Sequence, residues 1–242
     1  MSSNGERRLR ILGRLAGESP AGDETTRLCQ VCAEVTVMTG AGIMLMSGDV
    51  PRGSVCSTDR VSRLIEQLQY DLGEGPCVDA HRFNRPVHEP DLADPVTPRW
   101  IAFQGPAVEA GARGVFGFPM TVGAARLGAL NLYRDRPGPL TDEQHADALV
   151  LAEVAAQSVL LMQADAPVGQ VAAELEAGAD FQHVVHQAAG MVAAQLEIPI
   201  AQALIRLRAH AFSSSRRLED VARDVVARIL RFDDAREDGP TS

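Results

Sequence analysis

Lysine is absent from this 242-residue chain, and all 23 basic residues are arginine. Set against 32 acids they leave a net charge of −9 at pH 7, which excludes a general binder of nucleic acid. Where the arginines lie therefore matters more than their number. Aromatic residues are scarce at 4%, so a core of this size needs most of them. Cysteine is scarce as well, at four: Cys29, Cys32, Cys56 and Cys77. No run of about eighteen apolar residues occurs, and no transmembrane helix is expected. The first residues lead only into a short apolar piece, Leu9 to Ala16, broken by Arg10 and Arg14. That is no signal peptide, and a cytoplasmic protein is expected. Catalytic signatures are missing too: there is no GxSxG, no HExxH, no P-loop and no carboxylate pair with a matched base. Neither enzymatic activity nor a cofactor is expected.

What is present suits a globular protein of more than one domain: 45% hydrophobic and 23% charged residues. Residues 1–22 read as a frayed N-terminal segment with one short helix. An amphipathic helix follows from Asp23 to about Thr39, with Leu28, Val31, Cys32, Val35 and Met38 on one face. It contains the CxxC pair Cys29 and Cys32. With no second pair and no nearby histidine, these two read as buried structural thiols rather than a zinc or redox centre. Residues 41–47 and 53–58 read as a strand hairpin, and 60–70 as a helix carrying Val61, Leu64, Ile65 and Leu68. Residues 72–80 hold two glycines and a proline, a turn whose backbone approaches something closely. A short extended piece at 86–92, a helix at 98–111 and a hairpin of 114–120 with 125–133 come next. Thr141 caps a long helix reaching about Gln163. The order predicts an α+β layout around an antiparallel sheet.

Residues 164–179 are a linker candidate interrupted by Pro167. Three helical patterns follow at 181–198, 199–212 and 216–232. The third is the most regular, with Leu218, Val221, Ala222, Val225, Val226, Ile229 and Leu230 at helical spacing. Ser213, Ser214 and Ser215 break the second pattern and offer a cap. The span 180–232 has 7 arginines against 5 acids. Residues 1–179 have 15 against 23, and the tail 233–242 has 1 against 4. Of these three spans the C-terminal helices are the only basic one.

Two resemblances arise. Gln187-Ala-Ala-Gly-Met191, then Ala203, Leu207-Arg208 and Ala211, then Arg217-Leu218, Val221-Ala222 and Val225-Val226, resemble the ANTAR family. This family comprises three-helix RNA-binding modules of bacterial transcription antiterminators. Ala189 stands where that family commonly has lysine. Gly73-Glu-Gly-Pro-Cys77, Gly117-Phe-Pro119 and Gly128-Ala-Leu-Asn-Leu132, with the element order, make residues 23–163 resemble a GAF domain. More closely they resemble the GAF domains fused to ANTAR modules in actinobacterial-type regulators.

The resemblances imply a two-domain architecture: a GAF-like sensor, then an all-α ANTAR-like module that binds paired stem-loops in nascent RNA as a homodimer. Within the helical module Arg208, Arg216 and Arg217 are the RNA-contact candidates, and small Ala188 and Gly190 would let a helix or an RNA backbone come close. In the sensor a small ligand would sit in a cup, for which Trp100, Phe103, Phe116, Phe118 and Tyr133 are the available rings and Cys77 a possible redox thiol. His81 and His88, flanking Asp79 and Glu89, match no metal-ligand spacing. The rival readings are a protein–protein signalling module, or a redox or small-molecule switch without RNA binding.

Overall fold

The computed structural model describes residues 3–17, 24–48, 50–165 and 180–232. It divides into two compact units, Met1–Ala179 and Asp180–Ser242. Of the linker candidate 164–179 the first two residues end α6, and 166–179, like the tail 233–242, lie outside the described residues.

In the first unit the elements run α1 (Asn4–Leu15), α2 (Glu24–Thr36), β1 (Gly40–Ser47), β2 (Val50–Ser57), α3 (Arg60–Leu72) and α4 (Pro76–Phe83). They continue with β3 (Val87–Glu89), α5 (Ile101–Glu109), β4 (Gly114–Val122), β5 (Ala125–Arg134) and α6 (Asp142–Asp165). The five strands form one antiparallel sheet in the order β2-β1-β5-β4-β3. The expected α+β layout is present, and the extended piece at 86–92 supplies the edge strand β3.

Strand alternation sends Ile43, Phe116, Phe118, Met120, Leu130 and Leu132 to one face, where they meet Leu28 and Val31 of α2 and Leu151 and Ala155 of α6. Within the N-terminal segment the helix α1 is packed rather than frayed. Ile11 of α1 is fully buried in this core, and Arg7 reaches Asp147 of α6 at 2.6 Å. Thr141 caps α6 as expected: its hydroxyl accepts from the Gln144 N–H at 3.2 Å, and the Gln144 side chain accepts the Thr141 N–H at 3.0 Å. By length, and by a mean hydropathy of 1.3 over its most apolar 18 residues, the helix Asp142–Ala164 could cross a bilayer, yet half of that window is buried within the protein. That burial is what a core helix of a folded domain shows.

Cys29 and Cys32 are both buried, as expected, but their pairing is corrected. Cys29 is not a free thiol beside Cys32. It forms a disulfide with Cys56 of β2, a partner 27 residues away. Cys32 stays a buried free thiol, with burial pushing it up to about 12. One turn of helix separates Cys29 from Cys32, whereas β2 packs against α2 and sets the Cys56 Cα 6.1 Å from that of Cys29, within the span a disulfide bridges.

In the second unit α7 (Asp180–Leu196), α8 (Ile200–Ser213) and α9 (Leu218–Val226) pack on one another. Val185, Ala188, Ala189, Val192, Ala203, Leu204, Leu207, Leu218, Val221, Ala222 and Val225 are buried between them. The helices α7 and α8 meet at a bend of 106°. Pro199 is the N-cap residue of α8, where its missing N–H costs nothing. The serines close the C-terminus of α8, Ser213 and Ser214 donating to the His210 carbonyl. The third helix is shorter than its pattern: it stops at Val226, Arg228 turns left-handed (φ 61°), and the Ile229 and Leu230 N–H groups return to the Asp224 carbonyl. Ile229 is then 75% exposed. Helical spacing persisted in the sequence past the point where there was a face left to bury.

Candidate functional site

Behind the sheet, away from α2 and α6, one row of backbone is stripped of bulk. Asn131 of β5 pairs with Gly42 of β1 on one side and Gly117 of β4 on the other. A methyl group on Gly42 would stand 2.7 Å from a Glu66 carboxylate oxygen, and one on Gly117 would stand 2.3 Å from the Pro76 carbonyl. These glycines let α3 and α4 lie close on the sheet.

The α3 face that turns inward is not the apolar one expected. Ser62, Ile65, Glu66, Gln69 and Tyr70 are buried, whereas Leu64 is exposed. Glu66 is enclosed with Asn131 beside it and no arginine paired to it among the described residues. Burial pushes its carboxyl up to about 8, with Asn131 drawing it partly back. Gln69 accepts the Cys77 N–H at 2.7 Å and so fixes the entry to α4. Gly75 (φ 132°) passes directly over Gln69, a conformation and a clearance only glycine allows. The Cys77 thiol is fully buried; desolvation raises its pKa well above the ordinary thiol value, and the nearby Glu66 adds to the rise.

Around this centre the loops are tied by carboxylates. Asp59 caps α3 through the Ser62 N–H and accepts the Tyr133 hydroxyl at 2.6 Å. Glu74 takes the Ala102 and Phe103 N–H groups at 2.7 and 2.9 Å, standing in for a cap at the start of α5. Asp79 accepts from the Trp100 indole at 2.8 Å, while the Arg99 guanidinium lies 4.4 Å from the Trp100 ring centre. The glycine-rich turn therefore organises two helix starts.

The six cup candidates do not converge. Phe116 and Phe118 belong to the apolar core under α6, near His88 and His145. Cys77, Trp100, Phe103 and Tyr133 belong to the α3–α5 side, held by the contacts above. Alternation along β4 explains the split, since Gly117 between the two phenylalanines faces the other way. His81 binds the Gly48 carbonyl at 2.8 Å, Glu89 lies 3.5 Å from Arg99, and no group of three possible metal ligands forms among the described residues. Burial lowers the pKa of His88 to about 4, and His145 and Arg99 add to the effect. Sequence reading missed Glu66, Gln69 and Asn131. The available signal was the i, i+4, i+7 spacing of Ser62, Glu66 and Gln69, a polar stripe alongside an apolar one.

Residues 23–160, more than half of the chain, match the GAF domain. The chain belongs to the GAF domain family. Solved structures similar to it include the GAF domains of phosphoenolpyruvate-protein phosphotransferases from Coxiella burnetii and Acinetobacter. Each is 13% identical, at a TM-score of 0.48. The alignments cover 66% and 68% of this chain and 95% and 98% of those chains. A type II free methionine-R-sulfoxide reductase from Thermoplasma acidophilum is 15% identical over 64% of this chain and 92% of its own, at a TM-score of 0.44. None of the curated proteins matches this sequence. The GAF match ends before α7, and nothing in these comparisons identifies α7–α9 as an ANTAR module.

Beyond the GAF domain, the helical unit distributes its candidates unevenly. Ala188 is buried in the helix packing. Gly190 meets nothing: a methyl group there would find no atom within 4 Å, so close helix packing is not what the glycine serves. Ala189, at the position where the ANTAR family commonly has lysine, is fully buried. Arg216 reaches Asp224 at 2.8 Å, and Arg217 reaches Glu219 at 3.2 Å, with Arg223 on the same carboxylate. Arg208 is half-buried on α8. These exposed pairs hold little energy and release their cations readily to a stronger anion.

Proposed function

We propose that the chain is a cytoplasmic, non-enzymatic regulator whose GAF domain senses a signal and controls an RNA-binding helical module. The module is read as ANTAR-like, binding paired stem-loops in nascent transcripts as a homodimer and favouring read-through by polymerase. A single observation carries the reading. An acidic chain joins a GAF domain to a separate three-helix unit whose span 180–232 has 7 arginines against 5 acids, and the second helix of that unit contains no acid at all. Guanidinium groups suit unpaired bases and phosphates alike. The test is binding of the purified protein to a twin-hairpin RNA against a loop-scrambled control at two salt concentrations. Selective, salt-sensitive binding is expected, and Arg208→Ala and Arg217→Ala should each weaken it without unfolding the protein. Unchanged affinity in both variants sinks the assignment.

A second reading is favoured by the Cys29–Cys56 disulfide. Such bonds are rare in reducing compartments, so in a cytoplasmic protein this one would make the GAF domain a redox switch without need of RNA. A reductant-dependent change in oligomeric state, with no RNA binding in either form, is the outcome that selects it.

A further inference from the structure

We propose that the solvent face of α8 is a stacking surface for unpaired RNA bases, with Ile205 and Phe212 taking the bases and Arg206 a phosphate. This rests on the RNA-binding reading and names the part of the module that would read loop nucleotides.

Ile205 is 62% exposed and Phe212 66% exposed, seven residues apart on one helix, so two turns bring them nearly into line. Exposed Ala209 lies between them and exposed Ala201 one turn before, which makes the stripe continuous. Burying such residues normally stabilises a helix by contact with a core. Here the core side of α8 is already filled by Ala203, Leu204, Leu207 and Ala211.

Charge selects the occupant. The helix carries two arginines and a histidine and no aspartate or glutamate. Arg206 flanks the stripe at one helical step, is exposed, and has no hydrogen-bond or ion-pair partner among the described residues. One turn further, His210 has its ring 5.4 Å from that of Phe232, whose chain neighbour Arg231 is also exposed and has no acidic partner among the described residues. A second copy of α8 laid on this face would set cation against cation with no acid to relieve them. RNA supplies both complements at once: flat apolar faces for Phe212 and Ile205, and a phosphate for Arg206. A duplex hides its base faces in the stack, so the ligand is a loop or other unpaired segment.

The experiment uses the full chain and two labelled RNAs: a twin hairpin with randomised unpaired loops, and a blunt duplex of equal length. Phe212→Ala should lose about 5- to 100-fold in hairpin affinity while leaving duplex binding as it was. Phe212→Trp should retain the parent affinity, since an indole stacks as well. Arg206→Gln should weaken both RNAs and lower the salt slope by about one. A parent protein that binds the hairpin while Phe212→Ala binds it equally well overturns the α8 face and leaves the RNA reading standing. Failure of the parent to bind either RNA overturns both. If Phe212→Ala instead turns a dimer into monomers, the stripe is a self-interface and the proposal falls.

Discussion

Glu66 sets the electrostatic character of the α3 side of the GAF sheet. Its folded pKa of about 8 lies above that of an exposed carboxyl, so the unfolded chain gives up this proton first. Below about pH 4.5 both states hold the proton. From there to about pH 8 only the folded state does, so stability falls as pH rises, on the order of 3 kcal/mol by pH 7. Glu66→Gln keeps the shape and removes the charge, and should flatten the unfolding midpoint between pH 6.5 and 8. That window lies above the titration of His88, whose lowered pKa acts in acid. A Gln variant with the parent's slope would show that Glu66 is ionised in the fold. Two glycines make the complementary case. Gly117→Ala forces a methyl onto the Pro76 carbonyl and should cost about 1–3 kcal/mol or more. Gly190→Ala, in open space on α7, should stabilise by about 0.5–1 kcal/mol. Chemical denaturation of both variants reads the difference directly.

At the scale of elements, the strands and most helix positions were legible because period-two and helical patterns met ordinary turn chemistry. What escaped was any feature decided by a neighbour distant in sequence. The face of α3 was misjudged because Leu64 and Leu68 look like core residues, while the sheet beneath offers Gly42 and Asn131 rather than apolar bulk. The end of α9 was misjudged because a helical pattern does not say when the partner helices run out. The Cys29–Cys56 bond could not be read at all, since CxxC spacing points to the neighbour in the chain. That bond joins α2 to β2, and its loss should cost about 2–4 kcal/mol. Guanidinium midpoints of the parent should drop with reductant, and those of Cys29→Ala/Cys56→Ala should not respond. The buried Cys32 and Cys77 should stay unmodified by thiol reagents until the protein unfolds.

For the whole molecule the governing quantity is where the charge sits. An overall −9 repels RNA, and the final ten residues contribute a net −3 close in sequence to the basic helices. Deleting residues 233–242 should raise hairpin affinity several-fold at low salt, the gain vanishing near 1 M, where the screening length is only about 3 Å. A gain that survives high salt would point to steric masking instead. The sheet has one further consequence. Its edges are β2 and β3; β3 has three residues and offers little to pair with, but β2 has eight. Pro51 and the two register shifts between β1 and β2 blunt that edge, and the bond to α2 anchors it. A nascent chain has the strand before it has the bond. Soluble yield should therefore follow the oxidising power of the host in which the protein is made, with insoluble β-rich aggregate as the product of a strongly reducing one.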